Sequence, residues 1–291
     1  MRRIALMSTD GHKKIALVVN PLAGKGKAAM VADLLAGRLY HFAIEYSLFN
    51  EQWPADFNSY SEVWIIGGDG TINYFINHYP DIKIPLALFK GGTGDDFAWK
   101  LYGDADWKEQ MQIILRAEAR PVDAGRCNEK LFLAGVGIGF EGEVLQSMNT
   151  IRFIGGHIGY YLIVLKKIFS FKEHRFKIYN DGLSCDERLL LVEINNSSRT
   201  GGGFHISPKA SVNDGLIDLV TCKPLSLIKR LRYLPKIEKG KHLSLPFIRH
   251  ITGTHFTIEC KTPLSAHLDG ELIIADKFEF EVLPGKFSFL Y

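Results

Sequence analysis

The residues best suited to chemistry in this 291-residue chain are acids set inside glycine turns. Asp69 lies in Gly67-Gly68-Asp69-Gly70-Thr71, straight after the apolar run Val63-Trp64-Ile65-Ile66. Asp96 lies in Gly91-Gly92-Thr93-Gly94-Asp95-Asp96, after a second apolar run, Pro85 to Phe89. Glycines let the backbone turn sharply and let a bulky group approach the peptide units. A helix opening at Thr71 points its unpaired N–H groups at the same place and favours an anion, most often a phosphate. Strand ends side by side bring Asp69, Thr71, Thr93 and Asp96 to one rim. Carboxylates gathered beside phosphates suit Mg²⁺, a hard cation that takes oxygen ligands and offsets their repulsion. The plainer alternatives are an ordinary strand-to-helix turn at Asp69, and a helix cap with a dipole-favoured acid at Asp95 and Asp96.

Two more segments have the composition of a site. Asn20-Pro21-Leu22-Ala23-Gly24-Lys25-Gly26-Lys27 follows the first apolar strand, where an open α/β sheet presents its ligand loops. It is not a Walker A loop, because Lys27 precedes Ala28 and not Ser or Thr. Near the other end, Ala266-His267-Leu268-Asp269-Gly270-Glu271 reads first as an Asp-Gly hairpin. Its second reading is a general base, Asp269 or Glu271, with His267 near enough to shift either acid.

The elements that position these residues fall into two textures. From Ile15 to Ala117 strands and helices alternate: strands at 15–19, 42–49, 62–66 and 85–89, and helices at 28–39, 71–78, from 96 and at 106–117. That rhythm predicts a parallel sheet with helices on both faces. Beyond about Val122 strands predominate, at 130–135, 175–179, 188–194, 216–221, 255–260 and 277–283, with helices near 141–148, 159–169 and 225–234. Lys277 to Val282 alternates polar and apolar, as a half-buried strand does. The expected domains are therefore 1–124, α/β and nucleotide-binding, and 125–291, a β-rich substrate domain whose last residues pack back on the first.

Taken together, the motifs resemble the diacylglycerol kinase catalytic-domain family, in particular its compact bacterial lipid kinases, which are related to sphingosine kinases. The resemblance rests on Asn-Pro-Leu-Ala-Gly at 20–24, Gly-Gly-Asp-Gly-Thr at 67–71, Gly-Thr-Gly-Asp-Asp-Phe-Ala at 92–98 and Leu-Asp-Gly-Glu at 268–271. It implies a phosphofructokinase-like N-terminal domain, a sandwich-like C-terminal domain and ATP bound between them. By that match Asn20, Pro21, Leu22, Ala23, Gly24, Gly67, Gly68, Asp69, Gly70, Thr71, Ile72, Asn73 and Thr93 line the ATP site. Glu271 would be the proton acceptor with Asp269 beside it. On the residues themselves, Asp69, together with Asp96, would hold the catalytic Mg²⁺ directly or through water. The family's structural Mg²⁺ loop maps onto 209–216, with a side-chain oxygen from Asp214 and main-chain carbonyls from Ser211 and Leu216. On residue types alone Asn213-Asp214-Gly215 reads as a hairpin turn. Two departures stand out: Ala23 replaces a common Ser, and Asp95 replaces a common Asn.

The implied reaction moves the γ-phosphate of ATP to the hydroxyl of a lipid alcohol such as diacylglycerol. The alternatives are a soluble-substrate kinase of the NAD kinase type, which shares the Gly-Gly-Asp-Gly-Thr turn, and a nucleotide- or lipid-binding protein without catalysis. Composition bounds the rest. With 46% hydrophobic and 23% charged residues the chain is an ordinary folded protein, and a net charge of +3 gives no case for nucleic acid. Four widely spaced cysteines fit free thiols in a reducing compartment. Met1 to Met7 is too short for a signal peptide, and no run reaches the roughly 18–20 apolar residues of a membrane span. The expectation is a cytoplasmic protein, peripheral at the inner face of the membrane, with a homodimer left open. Residues 223–250 carry eight Lys or Arg and one acid among Leu227, Ile228, Leu231, Leu234 and Phe247, a mixture that docks on anionic lipid or forms a solvated amphipathic helix. Gly155 to Tyr161 opens another apolar stretch, read as an acyl-cavity lining or as core.

Overall fold

The computed structural model describes residues 13–150 and 157–291. Met1 to Met7, and the Gly155-Gly156 that begins the stretch to Tyr161, lie outside the described residues. In chain order the elements are β1 (Lys14–Val19), α1 (Lys27–His41), β2 (Glu45–Phe49), β3 (Glu62–Gly67), α2 (Asp69–His78), β4 (Leu86–Lys90), α3 (Asp96–Tyr102), α4 (Trp107–Ile114), β5 (Ala119–Cys127), β6 (Lys130–Phe132), β7 (Gly135–Ile138), α5 (Phe140–Thr150), α6 (His157–Ser170), β8 (His174–Asn180), β9 (Leu183–Leu189), β10 (Leu191–Asn195), β11 (Ile217–Cys222), α7 (Leu227–Glu238), β12 (Ile248–Gly253), β13 (His255–Leu268) and β14 (Glu271–Leu290).

The first half is the expected α/β unit. β2, β1, β3 and β4 are parallel neighbours in that order. Ile15 to Val19 and Val63 to Ile66 are buried along their whole length, as strands covered on both faces must be. The second half is antiparallel, in the order β12-β11-β10-β7-β13-β14, with β8 and β9 beside β13, and β5 and β6 beside β14. One mixed sheet therefore runs through the molecule, because β14 also meets β4 in parallel at Phe289 and Leu86. Its end is pinned there: Tyr102 Oη donates to the Leu290 carbonyl at 2.8 Å.

Four readings of the second half change. β5, spanning 119–127, is not among the expected strands; its partner β14 lies about 160 residues further on. Pro121 and the polar residues around it hide that strand from local patterning. β12 escapes for a related reason, since the mixed Ile248-Arg249-His250-Ile251 sits half-buried at the sheet edge. The run 188–194 divides at Leu190 into β9 and β10, and these pair with different neighbours. β13 and β14 run to 14 and 20 residues, bending where their registers shift, between Glu259 and Leu264 and between Leu283 and Phe287.

The core has three parts. One surrounds Trp64, Phe75, Phe89 and Phe289. A second fills the space among β7, β8, β13 and β14 around Phe132, Phe176, Phe256 and Phe278. The third lies where α5, α6 and α7 cover β10 and β11. Among the described residues, no helix is long and apolar enough to cross a membrane.

Candidate active site between the glycine turns and the Asp269 turn

The two glycine turns pack backbone against backbone. A Cβ added at Gly92 would lie 2.5 Å from Gly68 Cα, and one at Gly67 would lie 2.5 Å from Thr71 Cβ. The Gly91 N–H donates to the Gly67 carbonyl at 2.9 Å. Gly24, at φ 58°, fits against the Gly91 carbonyl, which no larger residue would allow. Asn20 ties the first loop to the second: its main-chain N–H donates to the Ile66 carbonyl at 3.1 Å and its Nδ2 to Thr71 Oγ1 at 3.1 Å. Three loops at neighbouring strand ends are thereby locked into one rim. α2 opens at Asp69, two residues before the expected start, so its N-terminus stands at that rim.

This rim and the turn before β14 enclose an open cleft of about 930 Å³. Asn20, Pro21, Ala23, Gly68, Asp69, Gly70, Thr71, Thr93 and Glu271 line it, all of them sites expected from sequence. The other expected nucleotide residues do not line this cleft. Leu22 points to solvent at 86% exposure, Ile72 is in the core, and Gly24 and Gly67 hold loop packing. Asn73 is buried, donating to the Leu131 carbonyl at 2.9 Å. The opposite wall, Asn50, Glu51, Gln52, Trp53, Tyr74 and His78, escaped the sequence reading. Trp53 lies 5.4 Å from Tyr74 and 6.4 Å from Tyr79, ring centre to ring centre, and Tyr74 stacks on His78. The one available signal was Tyr74 and His78, four apart on the helix that carries Asp69.

The acids separate by environment. Burial, reinforced by the charge of Asp96, raises Asp69 to about 7. Its Oδ1 accepts from the Phe97 N–H at 3.1 Å. Asp96 is also raised by burial, but it is already matched: Arg199 Nε stands 2.7 Å away and the Gly202 N–H donates at 2.6 Å. Arg199 in turn lies over the Trp99 ring. Asp95, in the left-handed conformation at φ 52°, accepts from the Gly92 N–H at 2.7 Å and pairs with Lys27 at 3.2 Å. The extra charge of the Asp at this position is therefore countered by Lys27.

Asp269 is 2% exposed and accepts three successive main-chain N–H groups, those of Leu133, Ala134 and Gly135, at 2.6, 3.0 and 2.8 Å. Burial pushes it up to about 6, against the pull of those donors toward the ionised form. This places Asp269 as the clamp of its turn, with Gly270 against the Gly70 main chain and the exposed Glu271 facing Gly70 across the cleft. His267 accepts from the Gly270 N–H at 3.0 Å, and burial lowers it to about 4, so its ring is neutral.

A second cavity, of about 180 Å³, opens behind the first and shares Asp69, Thr93 and Gly270 with it. A third, lined by Phe140, Val164, Ile168, Leu191, Phe204 and Leu234 among others, shares Glu141 with the second. The acids thus stand between a polar cleft and an apolar one. The expected metal loop is a tight turn: Asp214 Oδ1 accepts from the Leu216 N–H at 3.1 Å and Ser211 Oγ bonds Asn213 Oδ1 at 2.8 Å. Asp123, not anticipated from sequence, secures it by accepting from the Gly215 and Gly285 N–H groups, both at 2.7 Å.

Comparison with known proteins agrees with this geometry. Residues 14–127 match the model of the diacylglycerol kinase catalytic domain, and residues 134–291 that of the YegS C-terminal NAD kinase beta sandwich-like domain. A diacylglycerol kinase of Mycobacterium tuberculosis is 26% identical over 294 residues, covering 95% of this chain and 94% of the relative. A diacylglycerol kinase of Bacillus subtilis is 27% identical over 229 residues, covering 77% and 73%. In fold, the chain is similar to a diacylglycerol kinase structure from Bacillus anthracis, with TM-score 0.74, 23% identity and 98% of each chain covered. An NAD kinase from Archaeoglobus fulgidus in complex with ATP is a more distant match, at TM-score 0.55 and 13% identity, covering 96% of this chain and 93% of that one. Two domain models that together span nearly the whole described chain leave one assignment: this protein belongs to the lipid kinase family that joins a diacylglycerol kinase catalytic domain to a YegS C-terminal NAD kinase beta sandwich-like domain.

Proposed function

We propose that the protein transfers the γ-phosphate of ATP to the hydroxyl of a lipid alcohol such as diacylglycerol, with ATP on the 1–124 half and the lipid on the 125–291 half. The observation that carries this reading is the continuity of the cavities. Asp69, Thr93 and Gly270 face both the polar cleft and the space behind it, and Glu141 links that space to the apolar cavity. A nucleotide in the first and an acyl chain in the last would meet at Asp69 and Glu271.

The glycine rim and the α2 N-terminus would hold the phosphates, with Trp53 and Tyr74 offering ring faces to the base. A lipid hydroxyl is too weak an acid to ionise beforehand at neutral pH. Glu271 would take its proton as the phosphoryl group moves. Phosphoryl transfer depends chiefly on alignment and charge stabilisation, which the packed loops supply. Asp69 fits a cation ligand, since it is a crowded carboxyl whose neighbour is another acid. Asp96 would act beside it through its Arg199 pair. Mg²⁺ held there would neutralise charge on the transferring phosphate. The oxygens of Ser211, Asp214 and Leu216 suit a second hard cation of structural type.

The α6 and α7 surface fits a lipid interface: Leu162, Phe169, Leu227, Ile228 and Leu231 are exposed beside basic residues of α7. Binding to anionic vesicles should weaken as salt rises. The deciding experiment is ATP-dependent ³²P transfer to a panel of lipid alcohols in mixed micelles, with NAD as a control acceptor and Glu271→Gln alongside. Labelled lipid that disappears in Glu271→Gln is the expected result. Label in NAD alone would overturn the lipid reading in favour of the soluble-substrate kinase. ATP binding with no product would favour a binding protein.

A further inference from the structure

The most conspicuous group that the proposed phosphoryl transfer leaves unused is a pair of buried glutamates. Glu193, on β10, is 0% exposed, and Glu141, in the first turn of α5, is 7% exposed. They converge over Gly137 of β7, where a Cβ would collide with both carboxyls. Among the described residues, Glu141 Oε2 and both oxygens of Glu193 find no donor other than each other. His267 Nδ1, at 3.7 Å from Glu141 Oε2, stands beyond hydrogen-bond reach. Burial raises both acids, Glu193 more strongly, so the pair favours holding a proton over carrying two charges.

Such a pair is costly in a core, because a buried acceptor without a donor forfeits its hydration with no return. Its position gives the reason. Glu141 lines both the space beside Asp69, Thr93 and Gly270 and the apolar cavity under α6 and α7. A lipid with its tail in the second and its reacting hydroxyl in the first must pass Glu141, the residue that lines both. We propose that the Glu141–Glu193 pair is a second polar subsite of the acceptor cavity, taking a hydrogen-bond donor, a hydroxyl or an ammonium, that the lipid carries next to its reacting hydroxyl. The inference rests on the lipid kinase reading and narrows its substrate class. An acceptor lacking that donor leaves the pair unsatisfied, and sites built for a donor discriminate strongly against analogues without one.

The test compares three acceptors of matched chain length in mixed micelles with full-length protein: 1,2-diacylglycerol, with no second donor; 1-monoacylglycerol, with a neighbouring hydroxyl; and a long-chain 2-amino-1,3-diol, with an ammonium. Phosphorylation and, separately, lipid binding without ATP are measured for the wild type and Glu141→Gln. The expected wild-type kcat/KM is at least tenfold higher for a donor-bearing acceptor than for diacylglycerol. In Glu141→Gln that ratio should fall at least tenfold if the ammonium is the preferred donor, and severalfold if the hydroxyl is, because the amide oxygen still accepts. Equal efficiency for all three acceptors, or the same ratio in both proteins, would overturn the subsite and leave the kinase reading standing. Donor-dependent binding with no transfer would do the reverse. Should Glu141→Gln not fold, the wild-type ratios in transfer and binding decide alone.

Discussion

Replacing Asp269 by Ala removes the acceptor shared by the Leu133, Ala134 and Gly135 N–H groups, which lie 2.6, 3.0 and 2.8 Å from its oxygens. Each buried donor left unpaired costs roughly 1–3 kcal/mol. Water entering from the adjoining cavity offsets part of this, so the expected loss is about 3–5 kcal/mol, against a total stability of roughly 5–15 kcal/mol. Asp269→Asn is gentler. Its one oxygen can serve Ala134 and Gly135, while its amide group faces the Leu133 N–H and Asn73 Nδ2 as a fourth donor. About 1–3 kcal/mol should then be lost. Glu271 is exposed, so Glu271→Gln should change stability by no more than about 0.5 kcal/mol while stopping turnover. Urea unfolding followed by circular dichroism, with nucleotide binding and phosphoryl transfer on the same samples, ranks the variants. The expected order of stability is wild type, Glu271→Gln, Asp269→Asn, Asp269→Ala. An Asp269→Ala protein as stable as the wild type, yet inactive, would refute the clamp and make Asp269 a group of the chemistry itself.

Gly92→Ala would place a methyl 2.5 Å from Gly68 Cα, and parting the two turns by about 1 Å should cost roughly 1–3 kcal/mol and at least about tenfold in nucleotide affinity, read by thermal unfolding and calorimetric titration. Unchanged affinity would mean that the rim does not hold the phosphates. Trp53→Ala removes a ring face from the cleft; at about 0.5–1.5 kcal/mol for an aromatic contact, KM for ATP should rise roughly 2–12-fold with little change in kcat. The ligand-free protein should also lose stability as pH climbs from about 4 to 7. Asp69, Glu141 and Asp269 are held at about 7, 7 and 6, above their unfolded values of 3.8, 4.5 and 3.8, so over that window the native state binds more protons than the unfolded chain. His267, lowered to about 4 from 6.5, acts in the opposite sense together with the lowered His205, His242 and Asp186, but Asp96, Glu193 and Asp218 are raised as well and add to the three acids. A melting temperature that rises steadily from pH 5 to 7 would contradict this balance.

The rim of the site was legible in the sequence because its chemistry is local. Each glycine turn follows a buried strand, and the spacing from Gly67 to Thr71 and from Gly91 to Asp96 already places Asp69, Thr71, Thr93 and Asp96 at strand ends. The α/β half was legible for the same reason: parallel strands covered on both faces are continuous apolar runs, and the helices between them show their own period. Tertiary structure decided what depends on partners distant in the chain. β5 and β12 have no strong pattern of their own and exist through pairing with β14 and β11. The roles of the acids were decided there as well. Asp269 and Glu271 are two residues apart and alike in type, yet one is enclosed by three main-chain donors from 133–135 and the other is left at the cleft. Asp96 was paired by Arg199, and Glu141 was brought to Glu193, from segments more than 50 residues away. A residue's type and its neighbours in the chain determine which bonds it can make. Its burial and the donors that face it are set only when remote strands close around it, and these decide whether a carboxyl holds the fold, binds a ligand or accepts a proton.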